Sequence, residues 1–450
     1  MRIKVIRPLI DNPTVLLAPV IIVVILLTPL AGHFTPVAIW YDRSYDVQSL
    51  IGLIGPFVAL VGAWKGAQAA RLRKHSGVQS IVWSRQVSAW AKTAAWGLLF
   101  YLLIGAVAFL ITVTQATWGG PLVGPPLVGA VAVLALSALG YTIGDLWSSW
   151  LAAPVVGIGV GALQDWLPSL APVRETIHYL SPSFAVPAAF VVWYRVRPDL
   201  VIVQLTFLCG LLFLALASLA FRRFITGRKL YPLMSAACGI ILVVASVAGI
   251  TSSTIDNHGI RVPLVYNAAS DQLIPYTPVC SQAALRVCVH PAYSAELSQL
   301  SVLVNHLTAP LTGLPGAPTR AEQRAPGAGG GFWHMSGNVL VMDSFAAHAP
   351  DWTNQSFMRR VSTEIAIGLV IAPELKATSS DSKSTYINHT TTQQQAIALY
   401  LLSQANVTPD PSILQPSSQA RAFEQHFTAQ SLAARRAWLA QHYTALLQGH

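Results

Sequence analysis

The stretch "SSWLAAPVVGIGVGALQ", residues 148–164, decides how the rest of the chain is arranged. It is apolar and Gly-rich, but short, and it carries Pro154. A transmembrane helix needs roughly 17–25 apolar residues, so length alone does not settle whether it crosses a bilayer. Charge does. Six clearer apolar runs flank it, at 15–32, 47–64, 94–114, 121–144, 199–221 and 231–251. With a cytoplasmic N-terminus and all seven runs crossing, the inner segments 1–14, 65–93, 145–147 and 222–230 hold 13 of the 17 Lys and Arg residues found in 1–251. Removing the crossing at 148–164 puts "RRFITGRK" (222–229) outside, against the positive-inside rule. The stretch is therefore expected to be the fifth of about seven transmembrane helices, with residues 252–450 extracytoplasmic.

Composition agrees. Of 450 residues, 53% are hydrophobic and only 10% charged, with a mean hydropathy of +0.53, which describes an integral membrane protein. Residues 1–251 hold 17 basic against 7 acidic side chains, whereas 252–450 hold 11 of each. A pI near 9.6 could suggest a nucleic-acid surface, but the positive-inside bias of membrane loops explains it better. The first run follows Arg2, Lys4 and Arg7 and has no small-residue cleavage pattern after it, so it is expected as a retained helix. Two domains follow: a transmembrane domain, 1–251, and an appended domain, 252–450.

Two segments between runs are informative. In 69–93, apolar residues at 78, 81, 82, 87 and 90 suit one face of a helix lying at the interface, either a plain basic surface helix or a docking helix. In 165–197, the apolar piece 184–194 is too short to cross, which suits a re-entrant segment or a surface hairpin. Gly140 with Gly144, and Gly157 with Gly161, have the small-xxx-small spacing that lets helix backbones approach, within one chain or between two copies. Asp145 is the only acid placed near a span interior, which argues against an ion-driven carrier.

The order of runs, the basic "RLRKHSGVQSIVWSRQVSAWAKTAAW" between the second and third, and "YLSPSFAVP" before the sixth resemble the membrane subunits of type-2 ABC exporters. The resemblance covers roughly residues 1–225 and implies a cytoplasmic coupling segment that docks on a separate ATPase. By position that segment holds Arg71, Arg73, Lys74, Gly77 and Trp83, with Ser84 and Arg85 in its "SR" turn. It further implies a dimer of permeases in the plasma membrane, with outer re-entrant helices before the last core span. A seventh run and about 200 further residues depart from the minimal pattern of that family. The chain has no G-x-x-x-x-G-K-[ST] loop, so ATP and Mg²⁺ are expected on the partner and no cofactor on this chain. The expected function is the permease subunit of an ATP-driven exporter, itself non-catalytic, with the outer domain receiving or gating substrate. The competing readings are a membrane-anchored binding or scaffold protein and a degenerate zincin-like peptidase domain on a membrane anchor.

The appended domain is expected to be α+β and mostly helical. Helices are expected near 294–308, 355–372, 391–405, 419–427 and 429–447, and strands at 259–266 and 338–345. The Pro/Gly-rich 312–331 and the polar 376–385 are expected as loops. A zinc peptidase of the H-E-x-x-H kind needs two His one helical turn apart. The only echo is "TEIAI", where Thr363 and Ile367 stand in the ligand positions and neither can replace an imidazole. There is no G-x-S-x-G elbow, and the nine His of the domain form no ligand set by spacing. Phe332, Trp333 and Trp352 are either ligand contacts or core.

The four cysteines follow the topology. Cys209 and Cys238 lie in apolar runs and are expected as small apolar residues. Cys280 and Cys288 lie in the part placed outside, where a disulfide persists; free thiols and a metal site with His290 are the alternatives, the last lacking further ligands.

Overall fold

The computed structural model describes residues 39–76, 83–114, 116, 118–166, 177–184, 192–194, 198–221, 230–255, 261–264, 273–325, 333–342, 355–371 and 390–449. The expected first span at 15–32, the basic cluster 222–229 and the loop 376–385 lie outside these residues. Two compact units divide the chain. One falls within 1–187, 196–256 and 261–271, and the other within 188–195, 257–260 and 272–450.

The first unit is helical: α1 (Trp40–Ser49), α2 (Ile51–Ser76), α3 (Trp83–Val113), α4 (Gly124–Trp147), α5 (Ala152–Trp166), α6 (Asp199–Phe221) and α7 (Leu230–Thr251). Among the described residues, five helical stretches are long and apolar enough to cross a membrane: Trp40–Lys74, Gln86–Val113, Gly124–Trp147, Asp199–Ala220 and Leu233–Thr251. In lipid every backbone polar group needs an internal partner, and long helices supply it. The fifth expected run forms α5, whose 15 residues rise about 22 Å, less than a hydrocarbon core. Its Pro154 sits in the first turn, where a missing N–H costs nothing.

Two expectations about boundaries need correction. The second span begins at Trp40 rather than near residue 47, because Leu50 keeps helical geometry and joins α1 to α2. No separate interfacial helix covers 83–90; those residues are the first turns of α3. Trp90 there packs with Ala94 against Ala138 and Tyr141 of α4, and nothing in "WSRQVSAWAKT" breaks a helix.

The core of this unit is the α2–α4 pair. Gly140 and Gly144 face the backbone of Ala59 and Ala63, and a Cβ on either would overlap those residues' carbonyl oxygens. Gly62 and Gly66 return the contact, facing the Ser137 and Tyr141 carbonyls. Such reciprocal small residues allow the close backbone packing that drives helix association in lipid. Gly157 and Gly161 of α5 also face α2, with Leu60 Cβ 3.0 Å and Pro56 Cγ 3.5 Å from where a Cβ would stand. Around this core, Leu99, Leu102, Leu103 and Leu110 of α3 and Ile240, Ile241 and Val244 of α7 are exposed and apolar, a surface suited to lipid. A short hairpin follows α7, pairing β1 (Ser253–Ile255) with β2 (Arg261–Pro263).

The second unit is α+β. Its strands are β3 (Val279–Cys280), β4 (Arg286–Val289), β5 (Arg320–Gln323), β6 (His334–Ser336) and β7 (Val339–Met342), in the order β3-β4-β5-β7-β6. The β4–β5 and β5–β7 pairs are parallel and the edge pairs antiparallel. Helix α8 (Leu297–Thr308) makes the β4-to-β5 crossover that parallel pairing requires. Strand β5 corrects the loop expected at 312–331: the central strand of the sheet runs through it, with Ala321 and Gln323 buried and Arg320 and Glu322 less so.

Among the described residues of this unit are also the helices α9 (Gln355–Gly368), α10 (Thr392–Gln404), α11 (Ser418–Ala429) and α12 (Leu432–Leu447). Their starts follow from local chemistry. Thr391 and Gln394 form a capping box, and Ser417 and Ser431 accept from Ala420 N–H and Ala434 N–H. Gln394 donates to the Val370 and Leu446 carbonyls, and Tyr443 Oη donates to the Leu369 carbonyl at 2.6 Å, so the last helix is bonded to the end of α9.

Candidate functional site

Several polar side chains of the helical unit are deeply buried. Helix α1 reads "WYDRSYDVQS", two acids and an arginine that look like an outer loop, yet Asp42, Arg43, Ser44 and Gln48 are all buried. Arg43 is fully buried; its Nε donates to Thr112 Oγ1 of α3 at 2.8 Å and its Nη1 lies 3.7 Å from Asp46 Oδ2. A guanidinium taken out of water persists only when paired in this way. This corrects the expectation that Asp145 is the only acid near a span interior. Asp42 and Asp46 belong to the 35-residue apolar stretch Trp40–Lys74, so the argument against ion coupling loses its premise.

One turn further along, Gln48 reaches the segment quoted above as "YLSPSFAVP". Its Nε2 lies within hydrogen-bonding distance of the Pro182 carbonyl at 3.1 Å, the Phe184 carbonyl at 2.9 Å and Gln204 Oε1 of α6 at 3.0 Å. Gln204 Nε2 in turn donates to the Tyr179 and Ser181 carbonyls, both at 3.0 Å. The 3-10 turn Ile177–Leu180 and the residues after it therefore sit among α1, α6 and α7, with Tyr179, Leu180 and Ser181 buried. Residues 185–191, most of the expected apolar piece 184–194, are outside the described residues. Tyr101 Oη of α3 reaches the Val47 and Pro126 carbonyls at 3.1 and 3.2 Å, which fixes α3 to both α1 and α4.

At the Ser76 end of α2 the expected coupling residues divide. Arg73 is ion-paired with Asp145 near the end of α4, where Asp145 is buried and Arg73 about a fifth exposed. Arg71 is directed back along its own helix, with Nε 3.4 Å from the Ala67 carbonyl. Lys74 is on the same last turns, Gly77 lies outside the described residues, and Trp83, Ser84 and Arg85 are the first residues of α3. Connection 77–82 thus joins two long helices.

In the second unit, Cys280 and Cys288 are partners across β3 and β4 and form a disulfide. Cys209 and Cys238 are free, the first half-buried and the second exposed within the chain. His290 is fully buried, its ring 4.8 Å from that of Trp193 and 4.5 Å from that of Tyr276. Its Nδ1 accepts from Ala292 N–H at 3.1 Å, and its own backbone N–H donates to Gln323 Oε1 at 2.9 Å. Burial pulls its pKa down to about 4, and burial with help from Glu322, against Arg324, pushes Tyr276 up. The disulfide and the Nδ1 bond commit the groups that a metal would need.

The "TEIAI" positions are also committed. Thr363 is buried, donates to the Arg359 carbonyl at 2.7 Å and accepts from Asp410 N–H at 2.9 Å; Ile367 is core, and Glu364 pairs with Arg360. Trp333 is buried, its backbone pressed against Gly368, where a Cβ would meet it at 2.6 Å. Phe332 and Trp352 are outside the described residues. Among the described residues no group of three or more His, Cys, Asp and Glu side chains is placed to hold a metal. Comparison with family models, curated proteins and solved structures found no match.

Proposed function

We propose that this chain is the permease subunit of an ATP-driven ABC exporter that works with a separate ATPase subunit. The observation that carries the reading is the Arg73–Asp145 pair beside the 77–82 connection. It ties the basic end of α2 to α4, and those two helices already pack backbone to backbone along Gly62, Gly66, Gly140 and Gly144. A displacement applied at the connection would move both helices as one body, which is what coupling to an ATPase demands. In this proposal the chain crosses a plasma membrane about seven times and pairs with a second permease. The 77–82 connection faces the cytoplasm, and the disulfide-bearing unit faces outward and receives or gates substrate. ATP and Mg²⁺ belong to the ATPase.

The test is affinity purification of the full chain from its native membrane. An ATPase with a phosphate loop should co-purify and hydrolyse ATP, and exchanging residues 77–82 for a Gly/Ser linker of equal length should abolish its retention. Undiminished retention by the exchanged chain would overturn the reading. A second reading, a membrane-anchored binding protein, is favoured by an open groove of about 910 Å³ in the second unit, lined in part by Leu399, Asn406, Pro409, Leu414 and Arg421. A chain that binds a specific protein through that groove and retains no ATPase would support it.

A further inference from the structure

Residues 188–195 belong to the second unit, although the chain up to 187 and the chain resuming at 196 belong to the helical unit. Trp193 anchors that excursion. It is 1% exposed, and its ring meets those of Tyr276 at 5.1 Å and His290 at 4.8 Å, both edge to face. The Trp193 carbonyl accepts from Ile274 N–H at 2.7 Å, and Tyr194 forms an antiparallel bridge with Leu273. A large ring buried beside paired backbone is a strong anchor. The flanks are held too, but in the helical unit. The Tyr179 and Ser181 carbonyls accept from Gln204 Nε2 of α6, and the Pro182 and Phe184 carbonyls lie within hydrogen-bonding distance of Gln48 Nε2. Gln48 also reaches Gln204 Oε1, and both glutamines are fully buried. Past Trp193, only residues 195–197 separate Tyr194 from Pro198, whose carbonyl accepts from Ile202 N–H in α6 at 2.8 Å.

One stretch of chain thus leaves a buried glutamine clamp in the helical unit, packs Trp193 into the second unit, and returns to the same clamp. Ordinary inter-domain linkers are exposed, polar and poor in contacts. This one is anchored at three places. Each residue adds at most about 3.6 Å of reach even when fully extended, so a three-residue link to α6 has little slack. A rearrangement around His290 that displaces Trp193 therefore acts on the start of α6 and on Gln204. A shift of α6 acts back on Trp193 with equal weight, because coupling free energies are reciprocal. Neither anchor yields without loss, since a displaced ring leaves a void and a displaced buried amide leaves carbonyls unpaired. We propose that Trp193 and the Gln48–Gln204 clamp form a strap that couples the conformation of the second unit to that of α1 and α6. Through it, a ligand captured by the second unit would bias the membrane helices. Taking that bias as substrate gating rests on the permease reading; the coupling itself does not.

Backbone hydrogen exchange, read by mass spectrometry on the full chain in phosphatidylcholine nanodiscs with no ATPase present, tests the coupling alone. Trp193→Ala should speed exchange at its own contacts, residues 273–274. It should also speed exchange in 179–184 and 199–204 by about five-fold or more, the scale of a coupling between sites. Trp193→Phe keeps an aromatic ring beside Tyr276 and His290, guards against simple unfolding, and should move both sets the same way by less. Gln204→Leu removes the donor to Tyr179 and Ser181 and should in return speed exchange at 273–274 and 290–293. Tyr443→Phe is the control, because it deletes the bond to the Leu369 carbonyl elsewhere in the second unit and should leave 179–184 unchanged. Changes confined to the mutated unit, a response in one direction only, or a Tyr443→Phe effect on 179–184 matching that of Trp193→Phe would overturn the proposal. A chain that shows the coupling yet retains no ATPase in the separate purification keeps the strap and overturns the permease reading alone.

Discussion

Arg73 of α2 is ion-paired with Asp145 of α4, at the end of the bundle where the two helices' glycine-lined contact runs out. One partner is buried and the other about a fifth exposed, so the pair sits in a medium where losing one charge leaves the other uncompensated. Breaking a fully buried pair from one side costs about 3–5 kcal/mol, and the exposure of Arg73 reduces that. We expect Asp145→Asn and Arg73→Gln each to lower the melting temperature, and the double variant to lose less than the sum of the two. A thermal-melt cycle on the four purified chains checks this; strict additivity would show that the two residues do not interact.

The α2–α4 contact predicts a second, sharper effect. A side chain at Gly144 meets backbone, the Ala63 carbonyl, and backbone cannot rotate out of the way as a side-chain terminus does. Gly144→Val should therefore destabilise beyond the usual 1–3 kcal/mol or so of overpacking. Gly159→Ala is the internal control, since nothing lies within 4 Å of a Cβ there. Yield of monodisperse protein and melting temperature should fall for the first and stay level for the second.

These helices were legible because their signals are local. Apolar runs fixed α4, α6 and α7 to within a few residues, and hydrophobic periodicity placed helices over α10 to α12. Strand β5 was not legible. Its "RAEQ" has little strand propensity and sits in Pro/Gly-rich sequence; pairing with β4 and β7 decides it, and such pairing is invisible along the chain. Helix α1 was missed for the converse reason: two acids and an arginine read as exposed, and their burial depends on Thr112, 69 residues from Arg43. Gln48 and Gln204, which tie the Tyr179–Phe184 segment to α1 and α6, escaped a search built on charge and metal ligands.

The disulfide makes a prediction that needs no mutation. Cys280 and Cys288 are joined, while Cys209 and Cys238 are free. A thiol titration of the denatured, unreduced protein should therefore count two, and four after reduction. Closing so short a loop stabilises by about 2–3 kcal/mol in the chain-entropy description, so reductant should lower the denaturant midpoint of the second unit by a corresponding amount. An unreduced count of four would show that the bridge does not form.

The last prediction concerns the aromatic packing around His290. Trp193, which precedes α6 in sequence yet belongs to the second unit, buries its ring between Tyr276 and His290 and is 1% exposed. Its backbone is bonded to the same neighbourhood, its carbonyl accepting from Ile274 N–H at 2.7 Å. Trp193→Ala should cost about 3–5 kcal/mol, and a fragment starting at residue 272 should be weakened in the same way because it lacks that residue. Enclosed like this, neutral His290 is favoured in the folded chain, with its pKa drawn from 6.5 to about 4. As pH falls below about 6.5 the unfolded chain takes up a proton that the folded chain refuses until about 4, so stability is present above that window and is lost across it, by up to about 3 kcal/mol. Denaturant midpoints measured between pH 7.5 and pH 4.5 should fall accordingly. His290→Asn keeps an acceptor for Ala292 N–H but cannot titrate, and should flatten the slope. A slope equal in both proteins would assign the pH dependence to other groups.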